Sequence, residues 1–175
     1  MGTKIGGGME FIASSGELSS AASASFTGFD ASKYDSYVFN LYYVKPATNN
    51  QALLAHASTN GGTSYDTTDG NYHYNDGADY TSFNINQQYT AGNASGKYGI
   101  IGSFRILKPN ATAHTVGLVH ASVYTSSADG RGTTSNDTYR TSEYLSTTAV
   151  NAIQFKFGSG NIASGEITMF GIVNS

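Results

Sequence analysis

Hydrophobic positions along this chain recur at intervals of two rather than three or four. Residues 35–45 set Tyr37, Phe39, Leu41 and Tyr43 on one bulky face and Val38, Asn40, Tyr42 and Val44 on a mixed one. Pro46 ends that run because it lacks the N–H a ladder requires. Residues 81–90 alternate Phe83, Ile85 and Tyr89 against Asn84, Asn86 and Gln88, the pattern of a half-exposed strand. Residues 97–108 place Tyr98, Ile100, Phe104 and Ile106 together and stop at Pro109. Residues 114–125 are apolar on both faces and predict a central strand, and residues 151–157 and 165–173 alternate again around the turn 158–161. Shorter or weaker strands are predicted at 9–13, 22–29, 51–58, 71–75 and 136–148. No window repeats at the helical period for more than a turn or two. About nine or ten strands, each with a face to bury, predict an all-β, antiparallel two-sheet sandwich, jelly-roll-like because several connections are long.

Composition supports the same class. The chain carries 22 Ser, 19 Thr, 14 Asn, 21 Gly and 13 Tyr in 175 residues. Ser, Thr and Asn compete with a helix for its own backbone, whereas Tyr and Thr suit a pleated surface. Only 12% of residues are charged, about half the usual share, yet the abundant aromatics separate the chain from disordered sequences. Residues 1–8, with three consecutive glycines, read as a flexible N-terminal arm with no signal-peptide pattern, and residues 9–175 as one sandwich domain. A net charge of −3 without a basic cluster argues against nucleic acid as a partner, and no apolar run is long enough for membrane insertion by a helix.

Candidate chemistry is sparse. The absence of cysteine removes thiol catalysis, disulfides and Cys-based zinc sites. No Gly-x-Ser-x-Gly elbow or His-Glu-x-x-His helix is present. His114 and His120, six apart on one strand, would lie about 20 Å from each other, too far to share a metal. Asp66, Asp69, Asp76 and Asp79 fall in a Gly/Asn/Tyr-rich stretch; Asx-turn bonding accounts for them best, ahead of a calcium site or a glycosidase pair. Residues 58–65 approximate an Asp-box hairpin loop, with Asn60 in place of the aspartate. No catalytic, cofactor-binding or metal-ligating residue is assigned, no cofactor is expected, and the protein is read as a non-enzyme. Tyrosines beside short polar residues make adhesive surfaces. On that ground Tyr65, Tyr72, Tyr74 and Tyr80 are the candidate partner contacts, together with Lys4 and Ile5 in the arm.

Several segments carry a family likeness: Tyr34-Asp35-Ser36-Tyr37, Lys45-Pro46-Ala47-Thr48, residues 58–66, Asn71-Tyr72-His73-Tyr74, residues 106–115 and the closing stretch 151–172. Together they resemble small β-sandwich domains of tailed-bacteriophage virion proteins, over nearly the whole chain after Met9. The resemblance implies a place on the virion, at the capsid or tail surface, and no catalytic residues. Two roles compete. One is a capsid decoration (cement) protein, a homo-oligomer with the trimer favoured, bound to other virion proteins such as the major capsid protein. The other is a receptor-binding tail-fibre adhesin contacting a host surface glycan. The length favours decoration, since 175 residues leave nothing for a shaft or tail anchor, and the arm is expected to order on a neighbouring subunit.

Overall fold

The computed structural model describes residues 8–74, 78–86, 89–110, 112–125 and 135–173. Within them the regular elements are all strands: β1 (Met9–Ser14), β2 (Leu18–Ala21), β3 (Ala24–Phe26), β4 (Tyr34–Pro46), β5 (Leu53–Ser58), β6 (Tyr72–Tyr74), β7 (Asp79–Tyr80), β8 (Phe83–Asn84), β9 (Ile100–Leu107), β10 (Thr115–Tyr124), β11 (Ser135–Tyr144), β12 (Ala152–Phe157) and β13 (Ile162–Val173). A nine-stranded sheet runs β1-β13-β4-β9-β10-β11-β6-β7, with β2 also paired to β13, and faces a four-stranded sheet ordered β3-β12-β5-β8. The fold is an all-β sandwich, and its strand pairs are antiparallel.

The chain crosses between sheets at β2–β3, β3–β4, β4–β5, β5–β6, β7–β8, β8–β9, β11–β12 and β12–β13. That alternation is the jelly-roll character; the consecutive run β9–β10–β11 inside the large sheet departs from it. The strand total exceeds nine or ten because pieces such as β2 and β7, of four and two residues, are too short to show a period.

Alternation builds the core. Tyr37, Phe39 and Leu41 of β4 point inward with Phe104 of β9, and meet Phe26 and Phe155 from the small sheet. The Phe39 ring lies 5.2 Å from Phe155 and 6.1 Å from Phe104, and Phe83 lies 5.3 Å from Phe104. Each such burial contributes roughly 1.5–3 kcal/mol, and edge-on ring pairs add a further fraction.

Four expectations change at specific residues. Tyr43 was expected on the inner face but is 54% exposed, because a bulge between Leu41 and Val44 sends it outward at φ 53° and turns Val44 in. Gly165 makes that bulge possible: a Cβ there would sit 2.7 Å from the Val44 Cα. Tyr98 stays outside β9 and leans on Tyr43 and Tyr124, each at 5.3 Å between ring centres. The strand expected over 81–90 shrinks to Phe83–Asn84, and Asn86, expected outward, is wholly buried. Its Oδ1 accepts the Leu53 N–H at 2.5 Å, while Nδ2 donates to Tyr89 O at 2.7 Å and Gln51 O at 3.2 Å. Finally, residues 58–65 do form a tight loop, yet it is no simple hairpin. After one return bond, Asp66 N–H to Ala57 O, the chain crosses to β6 in the other sheet.

Candidate functional site

Lys4 and Ile5 lie outside the described residues. The four candidate tyrosines do not form one surface. Tyr72 is wholly buried and Tyr74 is 6% exposed, so neither presents its ring to a partner. Both sit on β6, whose inward positions face the small sheet, and each hydroxyl is spent inside the chain. Tyr72 donates to Asp66 O and accepts the Ala57 N–H, both at 2.9 Å. Tyr74 donates to Ser82 O at 2.9 Å and accepts the Asn84 N–H. Burial raises the Tyr72 and Tyr144 hydroxyls well above the ordinary tyrosine range, so both remain protonated donors. Tyr80 is half-buried, edge-on to Tyr74 at 4.4 Å, and Tyr65 is half-buried at the rim of a polar groove.

That groove, about 350 Å³, runs between the 58–68 loop and Tyr144. Its carboxylate, Asp66, accepts three hydrogen bonds from the chain. Oδ1 accepts the Thr68 N–H at 2.8 Å, and Oδ2 accepts Asn71 Nδ2 at 2.7 Å and the Tyr144 hydroxyl at 2.8 Å. Burial pushes its pKa up, but these donors outweigh burial and hold the carboxyl below its usual value. Asn60 plays the same organising part in the loop, its Oδ1 accepting from Ser58 Oγ at 2.9 Å and from the Ser64 N–H at 3.0 Å. Asp66 and Asn60 therefore act as turn residues. Of the other acids, Asp69 is exposed, Asp79 pairs with His73 at 2.8 Å, and Asp76 lies outside the described residues. Among the described residues no three His, Asp or Glu side chains converge as metal ligands. Behind the groove, His56 of β5 is 4% exposed, and its Nδ1 is buried with no hydrogen-bond partner.

The larger feature is the face of the nine-stranded sheet turned away from the small sheet. Strand register lines up two rows across it. One row runs Met9, Ile172, Ser36, Leu107, Val116, Glu143, His73, Asp79. The next runs Phe11, Phe170, Val38, Arg105, Leu118, Thr141. Met9 and Phe11 are 56% and 60% exposed, and Val38, Leu107, Val116 and Leu118 are half-exposed. The cation within this apolar field is Arg105. Its Nη2 donates to Ser36 Oγ at 3.0 Å, while its Nε is buried without a hydrogen-bond partner. A groove of about 310 Å³ opens beside it, walled by Leu107, Val116, Lys108 and His114. At the polar end, Glu143 faces His114 at 3.7 Å and lies opposite His73. A third row adds His120, stacked on the 69%-exposed Tyr139 at 4.4 Å.

The signal for this field lies in residues 114–125, whose second apolar face predicts a central strand. β10 is central within its sheet, between β9 and β11, but Val116 and Leu118 face outward. Compared with protein-family models, curated proteins and solved structures, the chain matches none of them.

Proposed function

We propose that this chain is a non-enzymatic structural protein of a tailed-bacteriophage virion, a capsid decoration protein that oligomerises on the particle surface. The observation that supports it is the apolar field on the outward face of the large sheet. A contiguous exposed apolar surface of this kind marks a site of protein association. The family likeness of the closing segment, residues 151–172, supplies the virion setting. The commitment of Asp66 to three internal donors, which hold its carboxyl below the usual value, supports a non-catalytic role for the polar groove, because a carboxylate kept ionised in this way is a poor proton donor or acceptor near neutral pH.

A second reading, a tail adhesin that contacts a host glycan, draws on a different observation. Tyr43 and Tyr98, 54% and 50% exposed, stand together with Tyr124 at one end of the sandwich, a ring cluster on which a sugar face would stack. Electron microscopy of intact particles, with the protein tagged, separates the two. Copies on the order of hundreds spread over the shell support decoration by symmetry. A few copies at one vertex support the adhesin, and particles lacking the protein overturn both.

A further inference from the structure

Asn60-Gly61 is the one Asn-Gly pair in the sequence, and it stands exposed in the loop between β5 and β6. An Asn followed by Gly is open to an internal reaction, because glycine has no Cβ to keep its nitrogen away from the preceding side-chain carbon. The loop prepares one half of that reaction. Asn60 Oδ1 accepts Ser58 Oγ at 2.9 Å and the Ser64 N–H at 3.0 Å, and Nδ2 donates to Ser64 Oγ at 2.8 Å. Two donors on one amide oxygen draw charge from Cγ and stabilise the oxyanion that forms when a nucleophile adds there. The other half is held back. The Gly61 nitrogen is the nucleophile once deprotonated, but its N–H donates to Asn151 Oδ1 at 2.7 Å and so keeps its proton. Asn151 is itself fixed, its Nδ2 donating to Thr59 O at 3.1 Å and its backbone N–H to Ser58 O at 2.8 Å. The Thr59 carbonyl settles which end of that amide faces Gly61.

We infer that Asn60 is a site of spontaneous deamidation that Asn151 holds closed. When the Gly61–Asn151 bond opens, the Gly61 nitrogen gives its proton to solvent base and bonds to Asn60 Cγ. The Cγ–Nδ2 bond breaks, and the side-chain nitrogen leaves as ammonia with a proton from water. Water then opens the five-membered imide at either carbonyl. One opening leaves aspartate at position 60; the other leaves isoaspartate, which routes the main chain through the side chain. The sum is amide plus water to acid plus ammonia, with no change of oxidation state. Either product loses the Nδ2 donor to Ser64 Oγ and adds a negative charge beside the groove that Ser58, Ser64 and Asp66 line. The isoaspartate form also shifts Gly61 away from Asn151, so that the loop parts from the start of β12.

Peptide mass spectrometry of the full chain, aged in mildly alkaline buffer, tests this. The folded wild type is expected to convert Asn60 about tenfold more slowly than the same chain in urea, the effect of one retained hydrogen bond on the reacting nitrogen. Asn151→Ala is expected to erase most of that difference while the chain stays folded by circular dichroism. Amide exchange of the wild type gives a reading that needs no variant, and it decides the matter if Asn151→Ala does not fold: the Gly61 N–H is expected to exchange slowly despite its exposure. Equal conversion in folded Asn151→Ala and wild type, or Gly61 exchanging as a free amide, would each overturn the role of Asn151. A chain whose Asn60 stays unconverted even in urea would overturn the site itself.

Discussion

The His56 imidazole, on β5 opposite Gln154 of β12, is 4% exposed and has little to favour its charged form. Burial, with a smaller contribution from Lys156, pushes the His56 pKa down to about 4 against the slight opposing pull of Asp66. The unfolded chain would titrate near ~6.5, so between the two values it binds a proton that the native protein does not. Stability from this residue is therefore fully present above about pH 6.5 and is lost as pH falls toward 4. Urea unfolding at pH 7 and pH 5 is expected to show a loss of about 2 kcal/mol, and His56→Gln to remove that loss. The window lies above the range in which Asp66 titrates, since its pKa is lowered. Single residues also mark where sequence reading stops. Asn86 is written like an outward polar position, and only the approach of Leu53 and Tyr89 makes it an interior cap. Tyr43 belongs to a regular alternation until a bulge, enabled by Gly165 some 120 positions later, shifts the phase by one.

Strands with a strong period were legible almost to the residue: β4, β9, β10 and β12 appear within a few positions of where alternation puts them. What alternation does not carry is the partner of each strand. Two consecutive strands joined by a turn read as a hairpin, yet β5 to β6 and β12 to β13 are crossings between sheets. The loop between β5 and β6 illustrates how such a crossing is held. Asp66 ties Thr68, Asn71 and Tyr144 together, and Asn71 O accepts the Leu145 N–H at 2.9 Å, so one carboxylate fastens the crossover to β11. Asp66→Ala is expected to cost about 2 kcal/mol, because it leaves the buried Tyr144 hydroxyl without its acceptor. Amide exchange should quicken at Thr68 and Leu145 while the β4 amides keep their protection. Unchanged exchange at those two positions would show that the loop holds itself.

On the scale of the whole molecule the two sheets are unequal, nine strands against four, and the smaller covers only one side of the larger. That inequality escapes sequence reading, since a strand apolar on both faces looks the same whether its second face meets another layer or the outside. The long-range topology has a kinetic counterpart. β1 and β2 take β13 as their sheet partner, and β13 also completes one side of β4. Contacts such as Ser15 Oγ with the Ile167 N–H join positions 152 residues apart. A chain ending before Ile162 is expected to be cut first within residues 9–21 under limited proteolysis, and protection there from the shortened chain would contradict the pairing.

The order of synthesis then matters. At ~5–20 residues per second, a ribosome needs roughly 6–25 s to go from the end of β4 to the start of β13. Throughout that wait the earliest strands have no mate, and neighbouring nascent chains on the same message carry the same vacancy. A β13 from one of those chains would fill it as well as the chain's own, so crowded translation favours strand-exchanged products that dilute expression would avoid.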